Sequence, residues 1–599
     1  MEIRTLCDLF YHSVDTHRKD DHLRYKKDGS WTSIGSDEFR RIVEELSMGL
    51  RALGLEKGDR VSILAENRPE WAFADLATLT AAAVDAPIYS TLTPPQVLYI
   101  LNDSAAKFVV VSNALQAKKI AEVRTQATHL RHVIRMDAAP IEGTLSFDDV
   151  RAMGREALGK DPEAVRRRAA EVKADDLATL IYTSGTTGDP KGVMLLHSNL
   201  VSNSIAGSKA FSAMGNDDVA LSFLPLCHVF ERMGGHYLML LVGATIAYAE
   251  SFDKLSENML EVKPTLMLSV PRLYEKIYAR ILEKVAADPP ARRKIFHWAM
   301  GVGRETFRHQ VEGTEPGLFL RLKHALADTL VFSRIRERTG GRLRVFVSGG
   351  APLAREIALF FGAVGLLILE GYGLTETSPV ICVNTPQALR PGSVGKPVQG
   401  VEVKIAEDGE ILTRGPHVMK GYFGKPEATA EAIDKDGWFH TGDVGVLDPQ
   451  GFLVITDRKK DILVTSGGKN IAPQPIENRI KASPFFAEIV MIGNQRNFPS
   501  ALVVPNFEPL QKWAKEKGIS FEDRDDLVAK PEVLEHYDRL VKDLTKDLAQ
   551  FEKIKKIALL AKEFTLEAGE LTPTLKVKRR VVELKYKDMI DRLYEGAAA

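Results

Sequence analysis

Between Tyr182 and Gly192 the chain reads YTSGTTGDPKG, a loop of hydroxyls, glycines and one lysine directly after the apolar run Leu177 to Ile181. That composition makes a cradle for phosphate. Ser184, Thr186 and Thr187 can donate hydroxyl hydrogens, Gly185 and Gly188 let the backbone close around oxygens, and Lys191 adds a positive charge. ATP is the ligand this chemistry points to. The loop is not of the nucleotide-kinase type, which spaces its glycines more widely and places Lys-Ser/Thr straight after the second. The same residue types also make a solvated turn between two strands, so the reading depends on what else the chain carries.

Further segments occur in order along most of the sequence: LPLCHVFER at Leu224 to Arg232, SGGAPL at Ser348 to Leu353, EGYGLTET at Glu370 to Thr377, WFHTGD at Trp438 to Asp443, DRKKDILVTSGGKNIAPQPIE at Asp457 to Glu477, and LTPTLKVKRR at Leu571 to Arg580. Together with the loop they resemble the adenylate-forming superfamily of acyl-CoA synthetases, luciferases and peptide-synthetase adenylation domains. Within it, SVPRLYEKIY at Ser269 to Tyr278 and GYFGKPEAT at Gly421 to Thr429 are most similar to long-chain fatty acyl-CoA synthetases. The resemblance implies ATP- and CoA-dependent ligation of a fatty acid, with acyl-AMP formed and pyrophosphate released before transfer to CoA. A fatty acyl-AMP ligase or another acyl- or aryl-CoA ligase is the neighbouring alternative. A nucleotide kinase, or an idle nucleotide-binding fold, is a more distant one.

The chemistry such a reaction needs agrees with these residues. A carboxylate attacking the α-phosphate of ATP requires charge stabilisation and no covalent protein nucleophile, and each positioned donor or cation is typically worth about 3 kcal/mol. The resemblance assigns Glu376 to Mg2+ with help from Thr183; a single carboxylate beside a triphosphate suffices for that ion. Tyr372 offers a ring face to adenine, while Gly349, Gly350 and Gly371 let backbone approach it. Ala351, Glu370, Gly373 and Thr375 complete the implied nucleotide set. Asp443 is directed to the ribose hydroxyls and Arg458 to ribose and phosphate. His228 is placed beside the acyl carboxylate and thiol entry. The resemblance further directs Lys576 to bridge carboxylate and α-phosphate during adenylation, and Gly468 to a loop used in thioester formation. Leu575 stands where the family usually has glycine. Read alone, Tyr372 could be packing, Asp443 turn chemistry, His228 a structural residue, and the basic run Lys578 to Arg580 a solvated face. Cys227 beside His228 does not make a Cys-His pair, because neighbouring residues on an extended chain point to opposite faces.

Composition sets wider bounds. A chain of 599 residues exceeds one core, so at least two domains are expected. Eighty basic against eighty acidic residues leave no net charge and no reason to invoke nucleic acid. The three cysteines, Cys7, Cys227 and Cys382, form no CxxC pair, which fits a reducing cytoplasm and no zinc cluster. The N-terminal MEIRTLCDLFYHSVDTH reads as an amphipathic helix and not a secretion signal. The apolar stretch around Tyr237 to Ala249 is too short to span a bilayer. A soluble protein, at most peripheral at a membrane, is expected.

The elements that must position these residues alternate. Ser36 is expected to cap a helix with Phe39, Ile42, Val43, Leu46 and Leu50 on one face and Gly54 as its stop. A strand over Arg60 to Leu64 follows, then a helix opened by Pro69 and running through Ala82, a strand near Val84 to Ile88, a helix from Pro94 and a strand over Phe108 to Val111. Further strands are expected near Val219, Ala244, Thr265, Leu343 and Leu366. The alternation implies an α/β fold with parallel layers, and ligands gather at the carboxyl ends of such strands. Short strands and glycine turns from Val394 to about residue 456 read as a small β-barrel subdomain. The stretch Ala286 to Thr339 is mostly helical and carries no recognisable site. The expected organisation is a large nucleotide-binding domain over residues 1–456 and a small mobile α+β lid over 457–599, hinged near Lys460.

Overall fold

The computed structural model describes residues 2–183, 190–466, 469–565, 568–572 and 577–595. Two large sheets, of nine and eight strands, carry the body of the chain. The helix Pro69–Thr80 touches strands of both and is buried at every residue except Glu70. Its alternation of Ala with Trp71, Phe73, Leu76 and Leu79 leaves no polar face, as a helix enclosed on all sides requires. The adjoining core draws on both sheets and on the N-terminal helix Leu6–Thr16, whose Leu6, Leu9, Phe10 and Val14 are buried.

The strand and helix alternation is present in parallel ladders such as Arg60–Leu64 beside Val84–Ile88 and Phe108–Val111. It breaks at two of the motifs. Leu177–Thr183 turns back as the antiparallel strand Lys191–Leu196, and Leu367–Gly373 is followed by antiparallel Val380–Val383. The expected α/β fold with parallel layers is present, with antiparallel strands added at these two places. Each turn-back begins at the carboxyl end of a strand, at Thr183 and at Gly373.

One cap differs from expectation. Gly35, not Ser36, occupies the N-cap of the helix Ser36–Ala52. The Ser36 hydroxyl instead accepts from Lys19 N at 2.9 Å and lies 2.8 Å from His22 Nδ1, stitching the helix to the preceding segment. The helix does end before Gly54, whose φ of +91° suits glycine.

The antiparallel strands Glu402–Ile405, Glu410–Arg414, Phe439–Leu447 and Leu453–Arg458 form a curled half-barrel. The pair Gly421–Tyr422 leaves it to join the eight-stranded sheet beside Lys191–Leu196. A separate C-terminal domain has its own core, built from Leu463, Ile480, Met491, Val503, Leu510 and Tyr537 around the sheet of Phe486–Ile492, Ser500–Pro505 and Lys556–Leu559. Among the described residues no helix is long and apolar enough to cross a membrane.

Candidate active site

A cavity of about 1050 Å³ lies where the sheets, the half-barrel and the C-terminal domain meet. The two turn-backs feed it. Thr183 and Lys191 are paired across their antiparallel ladder, and both line the cavity. Ser184, Gly185, Thr186, Thr187 and Gly188, between them, lie outside the described residues.

From the second turn-back come Gly371, Tyr372, Gly373, Thr375 and Glu376. Gly373 is sterically required: a Cβ there would stand 1.7 Å from Pro379 O. Tyr422, delivered by its short strand opposite Val193, donates its phenol hydrogen to Glu376 Oε1 at 2.9 Å. Its ring carries Lys191 Nζ at 4.8 Å, a cation held over a π face. Burial pushes the Glu376 carboxyl above the usual range, while Tyr422, Lys191 and Lys460 pull it back. Lysine, aromatic ring and carboxylate thus form a chain drawn from three distant parts of the sequence.

Tyr372 lines the cavity and donates to Asp443 Oδ2 at 2.7 Å. Asp443 sits opposite Arg458 in the half-barrel ladder, with Arg458 Nε 3.4 Å from its Oδ1. One strand pairing therefore holds acid and base beside the tyrosine. Gly349 and Gly350 line another wall; a Cβ on Gly349 would meet the Phe230 ring at 2.9 Å, so the backbone passes close there.

His228 lines the cavity too, and its Nδ1 accepts from Phe230 N at 3.2 Å. Burial pushes the Cys227 thiol far up, which removes the thiolate a nucleophilic cysteine needs. Four residues after His228, the Arg232 guanidinium is wholly buried. It donates to Asp75 Oδ1 at 2.5 Å, Asp85 Oδ1 and Thr179 Oγ1 at 2.8 Å, and Tyr237 OH at 2.9 Å. Thr179 stands on the strand ending in Thr183, so one buried ion cluster ties the His228 segment to the strand leading into the loop.

Among the described residues, three of the expected site residues, Ala351, Glu370 and Asp443, are not in the cavity wall, although Asp443 is bonded to Tyr372 and Arg458, which are. Glu370 is instead engaged by the segment at Gly392: its Oε1 accepts from Gly392 N at 3.3 Å and burial pushes its carboxyl up to about 7. Ala351 is exposed outside the lining. Gly468 and Lys576 lie outside the described residues, whereas Leu571, Thr572 and Lys578 of the C-terminal domain line the cavity.

No group of three or more His, Cys, Asp or Glu side chains able to hold a metal occurs among the described residues. A protein-only metal cage is thereby absent there. The donors near the loop are Glu376 and the Thr183 hydroxyl, a set suited to a hard cation that brings its remaining oxygens from phosphate and water.

The sequence profile of the AMP-binding enzyme family matches residues 10–423, and that of the AMP-binding enzyme C-terminal domain matches 460–598. A long-chain-fatty-acid–CoA ligase, FadD15 of Mycobacterium tuberculosis, is 38% identical over 97% of this chain and 96% of its own. Long chain acyl-CoA synthetase 7, peroxisomal, of Arabidopsis thaliana is 34% identical over 100% of this chain and 87% of its own. Among solved structures, the anthranilate CoA ligase AuaEII in complex with anthranoyl-AMP has a TM-score of 0.74 at 20% identity, covering 98% of each chain. ATP-bound MatB from Rhodopseudomonas palustris has a TM-score of 0.69 at 25% identity, covering 97% of this chain and 99% of its own.

Proposed function

Because the chain belongs to the AMP-binding enzyme family, we propose that it is a long-chain fatty acid–CoA ligase, converting a fatty acid and ATP to acyl-AMP and pyrophosphate and then acyl-AMP and CoA to acyl-CoA and AMP. The observation that carries this reading is the mixed charged and apolar lining of this cavity. Lys191, Glu376, Tyr372 and Arg458 line it together with the apolar Val229, Met233, Leu238 and Leu268. A fatty acid likewise combines a charged head with an apolar tail.

In this reading Tyr372 and the close backbone at Gly349 and Gly371 receive the adenine, and Asp443 with Arg458 holds the ribose. Lys191, kept over the Tyr422 ring, faces the phosphates together with the loop after Thr183. Magnesium, carried in with ATP, would be held by Glu376 and Thr183 and would supply charge neutralisation on the phosphate oxygens. Tyr422 fixes one Glu376 oxygen and leaves the other for that purpose. His228 borders the acyl carboxylate. Lys576 bridges carboxylate and α-phosphate in the first half-reaction. Rotation of the C-terminal domain about a hinge near Lys460 then withdraws it and presents the loop containing Gly468 for attack by the CoA thiol, an ordinary hinge motion.

The test is a panel of acids from short to long chain, assayed with ATP and magnesium, with and without CoA. Long-chain acids should give AMP and acyl-CoA at the highest kcat/KM. Acyl-AMP that accumulates whether or not CoA is present, or a preference for aromatic acids, would overturn the assignment.

A further inference from the structure

The helix Leu318–Ala327 turns Leu320 and Ala327 to the interior, yet leaves Leu318 69% exposed, Phe319 82%, Leu322 60% and Leu326 53%. At 3.6 residues per turn these four share one face. Leu330, in the following turn, continues the stripe, and the helix Pro290–Glu312 packed alongside adds exposed Ile295 and Trp298. Apolar side chains gathered in this density on a soluble surface mark a contact.

Charge says with what. The chain as a whole is neutral, but residues 290–344 hold twelve Lys and Arg against five Asp and Glu. Arg293, Lys294, Lys323, Arg334 and Arg338 are exposed. Around the helix axis Lys323 flanks the apolar face on one side and Arg321 on the other, the latter also paired with Glu315 at 2.6 Å. An apolar strip bordered by cations is the pattern of a helix lying in the headgroup region of an anionic bilayer. A second copy of the chain fits worse, because a two-fold interface sets each patch against itself and would bring two surplus-positive segments together.

We propose that the face of the helix Leu318–Ala327, with its basic border, docks the protein on an anionic lipid surface. The apolar side chains enter the acyl boundary while Arg321, Lys323 and Arg334 meet the headgroups. The inference is independent of the proposed catalytic function, since docking needs neither ATP nor CoA and is read without turnover.

The full-length chain is sedimented with vesicles of phosphatidylcholine alone and with vesicles containing about one part in three phosphatidylglycerol. Binding is expected on the anionic vesicles only, weakening several-fold as salt rises from low to physiological strength. The double variant F319E/L322E should lose at least about tenfold in partition coefficient, and K323E/R334E should lose several-fold. Both should keep the parent's melting temperature and its turnover of a water-soluble medium-chain acid, because neither pair touches the cavity. Equal sedimentation of parent and F319E/L322E, or no binding to anionic vesicles, overturns the proposal. So does a concentration-dependent dimer that F319E/L322E abolishes, which would assign the face to a second copy.

Discussion

Replacing Arg232 by Met keeps its bulk and removes its charge, and the consequence can be worked from the cluster it holds. Arg232, Asp75 and Asp85 have no exposed side-chain surface. The substitution deletes the donations to Asp75, Asp85, Thr179 and Tyr237 and leaves two carboxylates in an apolar interior. Breaking a buried ion pair from one side costs about 3–5 kcal/mol. Some of that is recovered because Asp85, whose carboxyl burial already pushes up to about 7, can take a proton. The expected loss is therefore about 3 kcal/mol or more in urea unfolding. Trp71 supplies a local signal, since the guanidinium lies 5.5 Å from its ring centroid. Adding D75N and D85N to R232M removes the stranded charges and should restore at least half of the loss. An R232M protein within about 1 kcal/mol of the parent would refute the view that this cluster anchors the His228 segment. Failure of the triple variant to recover would refute the charge argument.

Glu231 offers a pH test. Burial pushes its carboxyl up to about 8, with Ser222 opposing, and its Oε2 has no partner in the fold. The folded-state pKa lies above the unfolded value, so the folded protein keeps a proton that the unfolded chain releases. Stability from this group is full below about 4.5 and is lost progressively up to about 8, by at most roughly 5 kcal/mol. Glu231→Gln should flatten the fall of melting temperature with pH across that window; an unchanged slope would count against burial as the cause. Glu376→Gln should lower kcat for adenylation by about a hundredfold or more and raise the magnesium concentration needed, with no loss of thermal stability. A variant within threefold of the parent at every magnesium concentration would remove Glu376 from its proposed role. Tyr372→Phe deletes the hydrogen bond to Asp443, and a loss of about 1 kcal/mol predicts a several-fold rise in KM for ATP, measured with acid and CoA saturating.

Much of the fold is legible in the sequence because local pattern and tertiary burial agree. Val84 to Ile88 and Phe108 to Val111 are short apolar runs between turn residues, and each forms the strand expected. The helix begun at Pro69 does so too, stopping at Thr80, two residues early, where Ala82 takes a positive φ. Ser36 shows where local reading fails: a good capping residue is engaged by Lys19 and His22 instead. The site is legible as motifs but not as contacts. Tyr422 lies in a segment similar to long-chain synthetases, yet nothing local says that a two-residue strand will pair with Val193 and set its phenol on Glu376. Asp75, Asp85 and Arg232 read separately as ordinary charges, and only the packing of the sheets brings them together. The exposed face beginning at Leu318 carries a helical apolar stripe that periodicity assigns equally to a core.

The central claim is that an organic acid attacks the first phosphorus of ATP at this cavity. Exchange of labelled pyrophosphate into ATP, measured with purified protein, magnesium and a long-chain fatty acid but no CoA, tests it most directly. Exchange that requires the acid and disappears in Lys576→Ala is the predicted result. Absence of exchange across a broad fatty acid mixture, or formation of ADP and orthophosphate, would contradict the account.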